Sequence, residues 1–115
     1  MNELAAQLVE KHEGRRRFAY KCTQGKLTIG VGHNLEAKPL PDSVIDLLFD
    51  CDLEDAESDA RQYAYFDRLN EQRQAAIIDM SFQLGKTRLA QFKKMHAALN
   101  VGDFKGASRE CLDSL

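Results

Sequence analysis

The chain has 115 residues, 43% of them hydrophobic and 30% charged, and a formal net charge of −2. That length fits one small domain with a modest core and marginal stability. The near-balanced charge argues against a strongly basic nucleic-acid binder and against an acidic disordered chain.

Leu4, Ala5, Leu8 and Val9 make the apolar stripe of an amphipathic helix over residues 2–13, with Asn2 as N-cap and Gly14 as the stop after it. Glu13 then falls in the last turn, where the helix dipole disfavours an anion. A residue that breaks a local rule invites a functional explanation.

Arg15-Arg16-Arg17 is most simply a solvated turn, with attraction to an anionic surface as the alternative. Phe18-Ala19-Tyr20-Lys21 and Leu27-Thr28-Ile29 are β-prone and are joined by a turn containing Gln24-Gly25, which predicts a β-hairpin. Gly30-Val31-Gly32 lacks the third glycine and the following helix of a nucleotide loop, so its glycines serve the tight path out of the hairpin.

Pro39 and Pro41 bracket a loop, and Asp42 or Ser43 can cap a long helix running to about Tyr63 through Val44, Ile45, Leu47, Leu48, Leu53 and Ala56. A further periodic stretch from Leu69 to Leu84 stops at Gly85. Thr87 can cap a helix through Leu99 that Asn100 and Gly102 close, and a short helix follows from Asp103 to about Leu112.

Cys22, Cys51 and Cys111 are odd in number and far apart, with no paired-cysteine or Cys/His spacing. They argue against a zinc site or a disulfide framework and fit the free thiols of a reducing cytoplasm. The N-terminus has no basic stretch leading into an apolar run, and no apolar run is long enough for a membrane span, so neither export signal nor membrane anchor is expected.

Eight residues separate Glu13 from Cys22 and five separate Cys22 from Thr28, which opens Thr28-Ile29-Gly30-Val31-Gly32-His33. This run resembles the active-site signature of the phage-type lysozymes (endolysins, glycoside hydrolase family 24), where a Glu, then an Asp or sometimes a Cys, then a Thr stand at this spacing. Phe82-Gln83-Leu84-Gly85 resembles the family's Phe-Gln-x-Gly segment. The likeness covers about residues 2–112.

The resemblance implies an α+β, mostly helical, lysozyme-like fold of two lobes: a helix and β-hairpin lobe over residues 1–41, a connecting helix over 42–64, and a helical lobe over 65–115. It also implies hydrolysis of the β-1,4 bond between N-acetylmuramic acid and N-acetylglucosamine in peptidoglycan. No metal or organic cofactor is needed. Glu13 would be the general acid; to act it must hold its proton near neutral pH, with Leu8 and Val9 as an apolar wall. Cys22 stands where the family most often has Asp, and a thiol is largely neutral at pH 7 unless a cation such as Lys21 acidifies it. Three roles stay open to Cys22: a thiolate that activates water, a nucleophile at the anomeric carbon, or a spacer beside a water held by Thr28. Thr28 would orient that water from a strand.

Phe82 would pack against a sugar face, Gln83 would hydrogen-bond an N-acetyl or hydroxyl group, and Gly32 is placed with them on the substrate side. His33 is read as structural, in an ion pair with Asp52. The family continues past the final helix into further helix carrying a Trp and an Arg near the cleft, whereas this chain has no Trp. The helical lobe is therefore expected to be truncated at its C-terminus, which would leave apolar surface and favour self-association, while a complete lobe favours a monomer. Glycan strands are the expected partner, with no nucleic acid and no membrane anchor. The expected location is the host cytoplasm, with release to the periplasm or wall on lysis. The alternatives are a catalytically impaired fragment or non-catalytic wall-binding module, and a small helical nucleic-acid binder using the arginine run.

Overall fold

A computed structural model describes residues 1–113. Those residues form six α-helices, one 3-10 turn and a three-stranded antiparallel sheet, a mostly helical α+β architecture at 62% helix. The chain divides into two compact units, Met1–Ile45 and a second beginning at Asp46.

In the first unit α1 spans Glu3–Glu13. It opens where the Asn2 side chain accepts a hydrogen bond from the Ala5 N–H at 3.0 Å, and it closes at Gly14, whose φ of 76° lets its N–H reach the Glu10 carbonyl at 2.8 Å. Asn-type caps and positive-φ glycines satisfy the groups a helix end leaves open, so both ends match the sequence reading. The apolar stripe behaves differently, because no residue of α1 is buried and Leu4 stays 65% exposed. Thr28 is the only buried residue among the first 45, and so short a piece with a small sheet cannot enclose a core.

The sheet runs β1 (Arg16–Lys21), β2 (Leu27–Gly30) and β3 (His33–Asn34) in that order, all antiparallel. Tyr20 pairs with Thr28 and Lys21 with Leu27, and the register slips by a bulge between Arg16 and Tyr20. Arg16 and Arg17 therefore belong to a strand and not to the solvated turn expected of the arginine run; the Arg16 guanidinium lies 5.0 Å from the Tyr20 ring centre. β3 was not legible as a strand. It is two residues long and is held by pairs Thr28 to Asn34 and Ile29 to His33. The Asn34 side chain caps the next turn by accepting from the Glu36 and Ala37 N–H groups, and Glu36 in turn accepts from the Leu27 N–H at 2.5 Å.

α2 covers Asp42–Arg61, with Asp42 as its first residue and not its cap; the Pro41 carbonyl instead accepts from the Val44 and Ile45 N–H groups. Val44, Ile45, Leu47, Leu48 and Leu53 remain exposed, and the helix buries only Ala56 and Ala60.

The second unit has a real core of Ala60, Tyr65, Phe66, Leu69, Ile77, Leu89, Met95, Leu99 and Ala107. After the 3-10 turn at Phe66–Arg68, α3 (Glu71–Leu84) is capped by Asn70, whose side chain accepts from the Arg73 N–H at 2.8 Å, and it ends at Gly85 with φ 82°. The single helix expected from Thr87 to Leu99 is broken into α4 (Lys86–Ala90) and α5 (Lys93–Asn100), with the break at Gln91-Phe92. At the break the Gln91 and Phe92 N–H groups donate to the Arg88 and Leu89 carbonyls three residues back, at 3.1 and 3.2 Å, and Phe92 leaves helical geometry with ψ 54°. α6 (Phe104–Asp113) begins where the Asp103 carboxylate accepts from the Gly106 N–H at 2.9 Å.

At the centre of this core Tyr65 and His96 form a closed polar network. The Nε2 of His96 faces the Leu89 carbonyl at 2.8 Å, which can only accept, so Nε2 carries the proton and Nδ1 accepts from the Tyr65 hydroxyl at 2.7 Å. Tyr63 stacks on the imidazole with ring centres 4.1 Å apart. Burial pushes the Tyr65 phenol well above its ordinary value, with Tyr63 adding to the effect.

Candidate active site

Glu13 is the last residue of α1, and Gly14 ends the helix behind it, so its carboxyl stands at the helix terminus. It is exposed and makes no hydrogen bond or ion pair among the described residues. The apolar wall expected from Leu8 and Val9 is not formed around it. These side chains are 47% and 51% exposed, because α1 buries nothing.

What meets the Glu13 carboxyl is Gly32. A Cβ placed on Gly32 would lie 2.9 Å from both Cδ and Oε2 of Glu13, so the glycine backbone and the acid occupy adjoining space. Gly32 also has φ 69°, a left-handed conformation that glycine adopts without steric penalty. The sequence reading placed Gly32 on the substrate side and missed its contact with Glu13. A glycine in a tight hairpin exit shows that a side chain is excluded, but not by which neighbour.

Cys22 and Thr28 meet across the hairpin turn. The Cys22 N–H donates to the Lys26 carbonyl at 2.9 Å, and the Thr28 hydroxyl donates to the same oxygen at 2.9 Å. The Gly25 N–H closes the turn on the Cys22 carbonyl at 2.8 Å. Backbone hydrogen bonding at Lys26, then at Gln24, draws the half-buried Cys22 thiol below its ordinary value; partial burial opposes this and the Thr28 hydroxyl adds to it. The sequence reading looked to Lys21 for that acidification, but turn amides supply it. Hydrogen bonds to the charged form favour it just as a cation does.

Thr28 is buried at 3% exposure on the central strand. Its one hydroxyl proton goes either to the Lys26 carbonyl, as here, or to the Cys22 thiolate when that forms, since the hydroxyl rotates to suit its partner.

His33, directly after Gly32, opens β3 and is half-buried, and its Nε2 is buried with no hydrogen-bond partner among the described residues. Asp52 is exposed on α2 and lines a depression of about 290 Å³ with Asp55, Asp59, Ser81 and Phe82. The expected ion pair between His33 and Asp52 therefore has no observation behind it.

Phe82 and Gln83 lie in the last turn of α3, in the second unit. Phe82 packs edge-on against Phe49 with ring centres 6.0 Å apart. Together with Leu53, Glu57 and Asp79, Phe49, Phe82 and Gln83 line a depression of about 410 Å³. Phe82 is the wall shared with the acidic depression. An apolar ring beside carboxylates and an amide has the make-up of a carbohydrate-binding surface, with a flat face for stacking and acceptors for hydroxyl groups.

Among the described residues no group of His, Cys, Asp or Glu side chains is arranged to hold a metal ion, and no helix is long and apolar enough to cross a membrane.

An acid at a helix terminus against a glycine of the hairpin exit, and a Cys22 N–H and Thr28 hydroxyl that share the Lys26 carbonyl, accompany a match to the family described as phage lysozyme over residues 10–113. The chain belongs to that family. It is also 27% identical, over an alignment of 143 positions, to the pre-baseplate central spike protein Gp5 of Enterobacteria phage T4, across 99% of this chain and 25% of that protein. The chain thus spans about a quarter of the length of the curated relative it matches.

Proposed function

We propose that this protein is a muramidase that hydrolyses the β-1,4 bond between N-acetylmuramic acid and N-acetylglucosamine. The observation that carries the reading is the placement of Glu13 at the α1 terminus against the hairpin exit, inside the segment matched by the family. Glu13 gives its proton to the glycosidic oxygen as the bond to the anomeric carbon breaks. The group at the opposite face of the sugar is Cys22 with Thr28. A lowered thiol value favours a thiolate that activates water or attacks the anomeric carbon over a mere spacer, and Thr28 supplies or withholds its hydroxyl proton accordingly.

Phe82 and Gln83 take a sugar face and its N-acetyl group. The chemistry needs no cofactor. Host lysis is the biological setting, with the protein held in the bacterial cytoplasm until the membrane is opened and acting on glycan strands, as a monomer if the helical lobe is complete and with self-association if it is truncated.

The likeness to a spike protein favours a second setting, in which a wall-degrading domain is carried on a phage particle. Detection of the protein in purified virions distinguishes the two.

The decisive test is release of reducing sugar from purified peptidoglycan by the 115-residue chain beside Glu13→Gln and Cys22→Ser. Loss of activity in Glu13→Gln and retention of a folded circular dichroism spectrum support the muramidase. Equal activity in all three removes Glu13 from the mechanism, and three folded but inert proteins favour the wall-binding module or impaired fragment.

A further inference from the structure

The Glu13 carboxyl lacks any hydrogen bond or ion pair among the described residues, yet its position is sharply bounded on one side. A Cβ on Gly32 would stand 2.9 Å from Cδ, 2.9 Å from Oε2 and 3.0 Å from Cγ, three contacts on one side chain. Carbon atoms pack at about 3.5–4.0 Å, so any side chain at this position drives the carboxyl away by roughly 0.5–1 Å. We propose that Gly32 is a positioning residue for Glu13, its missing side chain being the seat that holds the acid where it meets the glycosidic oxygen. The inference rests on the reading of Glu13 as general acid.

The hairpin supplies its own comparison. Gly30 has nearly the same backbone conformation, φ 68° against 69°, and belongs to the same exit, but a Cβ there would have no neighbour within 4 Å. Backbone strain on substitution is thus common to both glycines, while contact with the acid belongs to Gly32 alone. The pairing of Ile29 with His33 across the loop Gly30-Val31-Gly32 sets this difference, since it brings Gly32 and not Gly30 under the end of α1.

The test compares Gly32→Ala with Gly30→Ala, alone and with Glu13→Asp, by peptidoglycan kinetics, thermal unfolding and the carbon-13 resonance of the Glu13 carboxyl. A displacement of this size costs about 100-fold in rate when geometry governs the step. Gly32→Ala should therefore lower kcat by about 10- to 100-fold with little change in KM, and should move the Glu13 carboxyl resonance. Gly30→Ala should lose similar thermal stability while leaving kcat within about threefold and the Glu13 resonance in place. In the Glu13→Asp background, where the carboxyl is withdrawn by one methylene, Gly32→Ala should cost at least severalfold less than in the parent.

Equal losses for Gly30→Ala and Gly32→Ala, or an unmoved Glu13 resonance in Gly32→Ala, overturn the inference. The resonance reports whether or not the chain turns over substrate. Should Glu13→Gln keep full activity while Gly32→Ala moves the resonance, the general-acid reading fails and the seat itself stands.

Discussion

Cys22 and Thr28 are joined through one atom: the backbone N–H of the first and the hydroxyl of the second both donate to the Lys26 carbonyl, each at 2.9 Å. The turn therefore couples the ionisation of the thiol to the orientation of the hydroxyl. As the thiolate forms, the Thr28 proton has a better acceptor at sulfur than at the carbonyl, because hydrogen bonds to charged groups are the stronger ones.

This coupling predicts a reactive Cys22. In a chain carrying Cys51→Ser and Cys111→Ala, iodoacetamide should alkylate Cys22 at pH 7 faster than it does a free cysteine peptide, and Thr28→Val should slow the reaction severalfold while the backbone hydrogen bonds at Lys26 and Gln24 keep it above the peptide rate. The linkage has a definite sign. A thiol whose value is lowered by folding adds stability that is fully present above the ordinary value near 8.5 and is lost as pH falls through the folded one. An alkylation profile matching that of the peptide would remove the effect.

The Tyr65 and His96 pair predicts a stability loss unrelated to activity. Tyr65→Phe leaves the Nδ1 acceptor of His96 buried without its donor, a change worth about 1–3 kcal/mol. Urea unfolding should show the loss with an unchanged slope. Because burial raises the Tyr65 phenol, the parent's stability is whole below the ordinary value of about 10 and falls as pH rises through the folded one, and Tyr65→Phe should flatten that alkaline decline.

Leu89 is fully buried where α4 ends, and its carbonyl anchors His96. Leu89→Ala should cost about 2–5 kcal/mol, depending on how far the site collapses. Thermal unfolding would show it as a clear drop in Tm, and a drop within error would mean that the core repacks around the gap.

Phe82 lines both the acidic depression and the one that holds Phe49, and Gln83 opens onto the latter. If they hold the glycan, Phe82→Ala and Gln83→Ala should raise KM by about 5- to 30-fold, the size of one lost hydrogen bond or apolar contact, with a smaller effect on kcat. Unchanged KM in both would move substrate binding elsewhere.

Much of this was legible from local rules. The Asn2 cap, the Gly14 and Gly85 stops and the Gln24-Gly25 turn are settled by residues within four positions of one another, and the structure has each in place. The helix break at Gln91-Phe92 was not legible, since apolar periodicity reports which face is buried and not where the backbone leaves helical geometry. β3 escaped for a similar reason: a two-residue strand has no period of its own and exists through its pairing with β2.

For the candidate site the division is sharper. Glu13, Cys22 and Thr28 were singled out by the likeness of their order and spacing to the family's signature, because a motif is a statement about order along the chain. Only the tertiary structure decided that Gly32 faces the Glu13 carboxyl, that turn amides rather than Lys21 acidify Cys22, and that Leu8 and Val9 leave Glu13 in water. Each of these depends on distance and solvent exposure, which arise when strands pair and a helix end meets a loop, and neither quantity is carried by the order of residues alone.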